Sequence, residues 1–175
     1  TKRSAMMNPD VSILEHALGY VFDNREILEQ ALCHSSFVNE TPDKAARDNE
    51  RLEFLGDSVL NLIVSHLLVE RFPDLSEGDL SKIRSGLVNE SQLSGIARKI
   101  QLGSFLRLGR GEMQSGGSDK NSILADALEA LLAAVYLDGG FHRAFGVIKR
   151  HFSDLLDSLT IFEENQDYKS RVQEL

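Results

Sequence analysis

The sequence predicts an all-α fold, and three observations carry the prediction. Apolar residues recur with helical period along most of the chain, and no segment alternates in the two-residue rhythm of a strand. Only three prolines occur, at positions 9, 42 and 73, which leaves room for long helices between them. Six to eight helices are expected. Positions 8–18 and 24–33 form two short ones, split by GYVFDN. The polar stretch SSFVNETPDKAARDN then leads into a long helix over about 47–72, which Pro73 ends. Ser76-Glu77-Gly78-Asp79 opens the next helix with a capping serine and an acid three residues on, a pairing that satisfies free amides of the first turn. Its apolar side carries Leu80, Ile83, Leu87 and Val88. A further helix follows over about 91–100, then the glycine-rich loop GRGEMQSGGSDKNS. Helical pattern resumes over 122–137, stops at Gly139-Gly140, and returns over about 141–159 before the polar tail IFEENQDYKSRVQEL.

At 175 residues, 42% hydrophobic and 26% charged, the chain suits one globular domain with a substantial core. Cys33 is the single cysteine, which excludes a disulfide framework and a thiolate metal site and fits a reducing, cytoplasmic setting. The first residues, TKRSAMMNPD, lack the apolar run of a signal peptide. No membrane span is expected, because the most apolar stretch, ILADALEALLAAVYL, carries two acids. A net charge of −8 argues against nucleic-acid binding through a generally basic surface. It leaves open an enzyme that meets phosphates through divalent cations, which reverse the local sign of the field.

The segment ERLEFLGDSVL, residues 50–60, places Glu50, Glu53 and Asp57 in a helix that is otherwise apolar nearly all round. Glu53 and Asp57 share a ridge with Leu60, Val64 and Leu68, so the acids begin a row that continues into the core. Unpaired ionised carboxylates there cost several kcal/mol each, roughly, and repel one another. ILADALEALLAAVYL repeats the device with Asp126 and Glu129, three residues apart and surrounded by small alanines that permit close approach. Two apolar helices, each with an acidic pair, fit a carboxylate-lined metal site; arginine partners or exposed helix margins are the alternative. The five histidines are scattered and none follows a glutamate by three residues. An all-oxygen set favours Mg²⁺, with Mn²⁺ as a substitute, over zinc or iron.

These residues resemble a known family. ERLEFLGDSVL is similar to the signature of the ribonuclease III endonuclease domain, and LGYVFDNREILEQALCHSSFVNE, FPDLSEGDLSKIRSGLV, LRLGRGEMQSGG and NSILADALEALLAAVYLDGG follow in the family's order over roughly 13–155. The resemblance implies an all-α homodimer that cleaves double-stranded RNA with Mg²⁺, leaving 5′-phosphate and 3′-hydroxyl ends with short 3′ overhangs, and that processes rRNA and other structured precursors. Carried over by motif, Glu53, Asp57, Asp126 and Glu129 are the metal-binding acids, with Asp57 and Glu129 catalytic. Glu50 and Glu77 match accessory acids of the cleavage valley, and the cap pattern at Ser76 also accounts for Glu77 structurally. Phe54 and Leu55 would pack against the partner subunit. Cys33 stands where the family more often has threonine, a packing substitution.

The acid-free basic stretch from 98 to 111 supplies Arg98, Lys99, Arg107 and Arg110 as expected RNA contacts. The domain is expected to occupy 1–160. Residues 161–175 would be a linker and the first residues of a double-stranded-RNA-binding domain, whose opening helix DYKSRVQEL resembles, so that the sequence stops inside that module. No small-molecule cofactor and no membrane partner are implied. Two other classes share such helices: a non-catalytic scaffold of the same fold, which has little reason to keep buried acids, and a redox metal bundle, which lacks its histidine ligands here.

Overall fold

The computed structural model describes residues 10–42 and 45–164, with side chains up to residue 159. Its helices are α1 (Val11–Leu18), α2 (Arg25–Ala31), α3 (Ser35–Glu40), α4 (Glu50–Arg71), α5 (Glu77–Leu87), α6 (Glu90–Lys99), α7 (Arg110–Gln114) and α8 (Asn121–Glu164), with tighter turns at Leu102–Phe105 and Gly117–Asp119. The all-α expectation holds, since extended pairing among the described residues is limited to an isolated bridge between Cys33 and Arg107.

α4 and α8 pack against each other as the centre of the domain, with α6 laid on α8. Leu60, Ile63, Val64 and Leu68 of α4 meet Leu124, Leu128 and Leu131 of α8 in one continuous core. Ala127, Ala130, Ala133 and Ala134 are fully buried, and their small side chains let the neighbours of α8 come close. Cys33 is buried, in keeping with a packing role.

Local chemistry explains most boundaries. Ser76 Oγ accepts the Asp79 N–H at 3.2 Å and donates to the Asp79 carboxylate at 2.7 Å, as the cap pattern predicts. α4 stops at Arg71, two residues before Pro73. It starts at Glu50, three residues later than expected, because Asn49 is pinned at that point. The Asn49 N–H donates to the Cys33 carbonyl at 2.9 Å and its buried side chain to the Ala31 carbonyl at 3.3 Å. The Gly139-Gly140 stop is a sharp break inside α8: Gly140 takes φ 77° and ψ 180°, which an L side chain rarely adopts, and helix continues on both sides.

Two stretches expected to be loop contain helix. α3 lies in the polar segment after Cys33, and α7 with the Gly117–Asp119 turn lies in the glycine-rich loop. With six and five residues, α3 and α7 are too short to show a period, and tertiary contacts hold them. The expectation of no membrane-length stretch also needs correction. α4 has a span's length and composition, with mean hydropathy 1.5 over its most apolar window. Eight of its residues are buried in this domain's own core. The expected boundary at 160/161 falls inside α8, and residues 167–175, with the resemblance they carry, lie outside the described residues.

Polar groups missed in the sequence tie the ends together. Glu15, 3% exposed, accepts the Phe22 N–H at 2.9 Å and pairs with Arg25 at 3.2 Å. Asp138, just before the break in α8, accepts from Tyr20 Oη and from the N–H groups of Asp23 and Asn24 at 2.8–3.0 Å. Burial alone would raise the Asp138 pKa, but these three donors bring it below the usual carboxylate value, while burial and Asp138 together push the Tyr20 phenol up to about 12.

Candidate metal centre

The acids meet where α4 crosses α8. Glu53 sits one turn into α4, its N–H donating to the Asn49 carbonyl at 2.9 Å, so the pinned start of the helix also fixes where Glu53 emerges. Asp126 and Glu129 lie one turn apart near the start of α8. That start is clasped by Arg98 from the end of α6, which donates to the Asp119 carboxylate, the Asp119 carbonyl and Asn121 Oδ1 at 2.7–2.9 Å. Between the helices, Gly56 rests against the Glu129 backbone so closely that any Cβ at 56 would overlap the Glu129 carbonyl oxygen. The missing side chain lets the two acid-bearing turns approach.

Carboxylate oxygens of Glu53, Asp126 and Glu129 all lie within 4.8 Å of one another. All three side chains are partly buried, and among the described residues no lysine, arginine or histidine forms an ion pair with any of them. Their protonation records the strain. Burial, then the fields of Asp57, Asp126 and Glu53, push the Glu129 pKa up to about 7. Burial, then Asp126, Glu50 and Asp57, raise Glu53. Burial and Glu90 raise Asp126, with His34 pulling the other way. A half-buried, cation-free cluster of acids resists ionisation by itself and would be relieved by a cation placed among them.

The remaining predicted residues are dispersed. Asp57 is exposed outside the three-acid cluster, and its carboxylate accepts from Asn61 Nδ2 at 2.7 Å. Its field nevertheless is the largest charge effect on Glu129, so it borders the pocket. Glu50 is exposed on the first turn of α4 and acts on Glu53 only through its charge. Glu77 accepts from Ser81 Oγ at 2.9 Å within its own helix and does not figure among the charges acting on the cluster. Phe54 is 79% exposed, whereas Leu55 packs partly against the chain's own core. Of the basic residues, Arg98 is committed to its clasp and Lys99 pairs with Asp154 at 3.6 Å. Arg107 lies over the Phe37 ring at 4.3 Å, lining a cleft of about 560 Å³ with Gln30 and Arg47, while the Arg110 N–H donates to Glu40 at 2.9 Å.

Sequence reasoning missed Gly56 and Glu90. Glu90 opens α6 behind a capping Asn89, where an acid is fully explained by the helix dipole, so no signal marked it as a neighbour of Asp126. Gly56 stands in plain view in the signature, but its contact is with a residue more than seventy positions away.

Acidic oxygens from two crossing helices, with neither histidine nor cysteine in the cluster, define an all-α domain suited to a hard divalent cation. Comparison with known proteins makes the class specific. A Ribonuclease-III-like family model matches residues 24–155. The Ribonuclease 3 of Myxococcus xanthus is 52% identical over 165 residues, covering 94% of this chain and 64% of that protein. That of Syntrophobacter fumaroxidans is 48% identical over 170 residues, covering 93% and 69%. The nuclease domain of ribonuclease III from Campylobacter jejuni, described for structural flexibility in a region involved in dimer formation, superposes with a TM-score of 0.77. It is 42% identical and covers 83% of this chain and 97% of that one. The chain belongs to the ribonuclease-III-like family. It spans about two thirds of the length of these curated relatives, 64% of the first and 69% of the second.

Proposed function

We propose that this domain is an endoribonuclease that hydrolyses double-stranded RNA with Mg²⁺, leaving 5′-phosphate and 3′-hydroxyl ends with short 3′ overhangs. The observation that carries the reading is the convergence of Glu53, Asp126 and Glu129 at one helix crossing without a protein cation. Family membership supports the substrate class, and the all-oxygen donor set supports Mg²⁺, with Mn²⁺ as substitute. Processing of rRNA and other structured precursors in the cytoplasm is the matching role.

Glu53, Asp126 and Glu129 would hold the ion, and Asp57 borders it. When bound, Mg²⁺ supplies Lewis acidity that makes a water nucleophilic near neutral pH and offsets charge gathering on the scissile phosphate. The chain's own groups set the conditions. Glu129, protonated up to about pH 7 by burial and by its acidic neighbours, releases its proton to become a ligand. The Gly56 contact fixes the distance between Glu53 and the α8 pair. The Arg98 clasp holds the start of α8, the turn before Asp126.

The active assembly is a homodimer in this reading. Phe54, Leu62 and Val69 lie on one face of α4 and are 58–79% exposed, an apolar stripe beside the acids, and the Campylobacter nuclease domain forms dimers. Incubating the chain with a long RNA duplex, with and without Mg²⁺, should give fragments on a denaturing gel only when the ion is present. A single strand of the same sequence should survive. Equal cutting in a chelator, or an intact duplex at millimolar Mg²⁺, would defeat the reading.

A further inference from the structure

We propose that Asn61 is a positioning residue for Asp57, its side-chain amide gripping one carboxylate oxygen so that the other is offered to the cation. The inference rests on the metal-site reading above. Asn61 Nδ2 lies 2.7 Å from Asp57 Oδ1 and 2.9 Å from the Asp57 carbonyl oxygen. A backbone carbonyl can only accept, so the NH₂ end of the amide must face Asp57, and its two hydrogens match the two acceptors. The grip therefore has one orientation, with Oδ1 taken. Asp57 Oδ2 makes no hydrogen bond or ion pair among the described residues.

Backbone geometry places Asp57 beside the pocket. It lies one turn beyond Glu53 on α4 and directly follows Gly56, whose backbone rests against that of Glu129. Among the described residues, Asn61 alone restrains its carboxylate. Asn61 is itself held. Ser65 Oγ donates to the Asn61 carbonyl at 2.6 Å and accepts from Arg84 of α5 at 2.8 Å, which ties the turn carrying Asn61 to a second helix. For α4 alone asparagine is a poor choice at an interior position, since alanine and glutamine both favour helix more. Metal-ligating carboxylates are ordinarily oriented by such outer partners, and losing one typically weakens metal affinity or activity about 10- to 100-fold.

Two substitutions separate this role from helix stability. Asn61→Ala removes the grip, and Asn61→Gln keeps an amide donor on a longer stem. Neither should lower the melting temperature, because both new residues are better helix formers. The full 175-residue chain is titrated with Mn²⁺ in the absence of RNA, with free Mn²⁺ read by paramagnetic resonance. The melting temperature and the kcat and KM of duplex cleavage are measured beside it. Asn61→Ala should bind Mn²⁺ about 10- to 100-fold more weakly and lose kcat at constant KM. Asn61→Gln should recover most of both. In an Asp57→Asn chain, adding Asn61→Ala should change Mn²⁺ affinity by less than about twofold, because its route to the ion is already gone. An Ala variant with parental Mn²⁺ affinity and kcat overturns the proposal. So does an equal loss of affinity when Asp57 is already replaced, or a change in KM alone, which would assign Asn61 to the RNA. A fall in melting temperature shared by the Ala and Gln variants overturns it as well, by marking a pair that serves only the helix. A parent that binds Mn²⁺ but cuts no duplex defeats the nuclease reading instead, and the Mn²⁺ arm still decides the role of Asn61.

Discussion

Glu129 concentrates the chemistry of the pocket in one proton. Its pKa is near 7 in the folded chain against an ordinary 4.5. Between those values the folded state holds more protons than the unfolded one, so stability of the metal-free chain falls as pH rises from about 4.5 through 7. Glu129→Gln removes that proton uptake. In a chelator its melting temperature should vary less between pH 5 and pH 8 than the parent's, and it should equal or exceed the parent's at pH 8. Duplex cleavage should drop by more than about 100-fold, since loss of a ligand exceeds loss of an outer partner. Near-normal Mg²⁺-dependent cleavage by this variant would remove Glu129 from the site. The types and spacing of the acids were legible in the sequence, because a carboxylate amid leucines is costly wherever the helix packs. That Asp57 would turn to Asn61 was not, because a side-chain rotamer at an exposed margin is decided by a neighbour one turn away and leaves the hydrophobic pattern unchanged.

At the scale of elements, the crossing of α4 and α8 does the assembling. Gly56→Ala would force the two backbones apart or bend one of them, at about 1–3 kcal/mol for an overpacked contact. Cleavage should fall further than that loss of stability explains, and Mn²⁺ affinity should fall with it, while the circular dichroism spectrum stays helical. A Gly56→Ala chain with parental Mn²⁺ affinity would show that the pocket tolerates a wider crossing. The long helices were legible from their periodicity, and Ser76, Pro73 and Gly140 marked ends or breaks through backbone chemistry that is local. α3 and α7 escaped notice because fewer than two turns carry no period. The fate of Arg98 also escaped, since its partners Asp119 and Asn121 lie some twenty positions away and nothing local distinguishes a clasping arginine from a free one.

For the molecule as a whole, the resemblance explained the all-round apolarity of α4 by a dimer seam. One part of its circumference faces α8 and the core; another presents Phe54, Leu62 and Val69 to solvent. Leu62→Glu should therefore leave the melting curve of the domain nearly unchanged while shifting its sedimentation at micromolar concentration from dimer to monomer. A parent chain that sediments as a monomer would show that the stripe has another purpose. The all-α class and the two acid-bearing helices could be read from the chain because both rest on composition and period; the partition of α4 between core and exterior could not, because period alone does not say which apolar face meets which neighbour. The contact at Gly56 has a further consequence. Because a backbone atom abuts a backbone atom there, the gap between the acid-bearing turns is gauged by the peptide chain itself. Substitutions can accumulate on the outer faces of both helices without altering that gap, so relatives that diverge widely elsewhere can inherit a pocket of constant width.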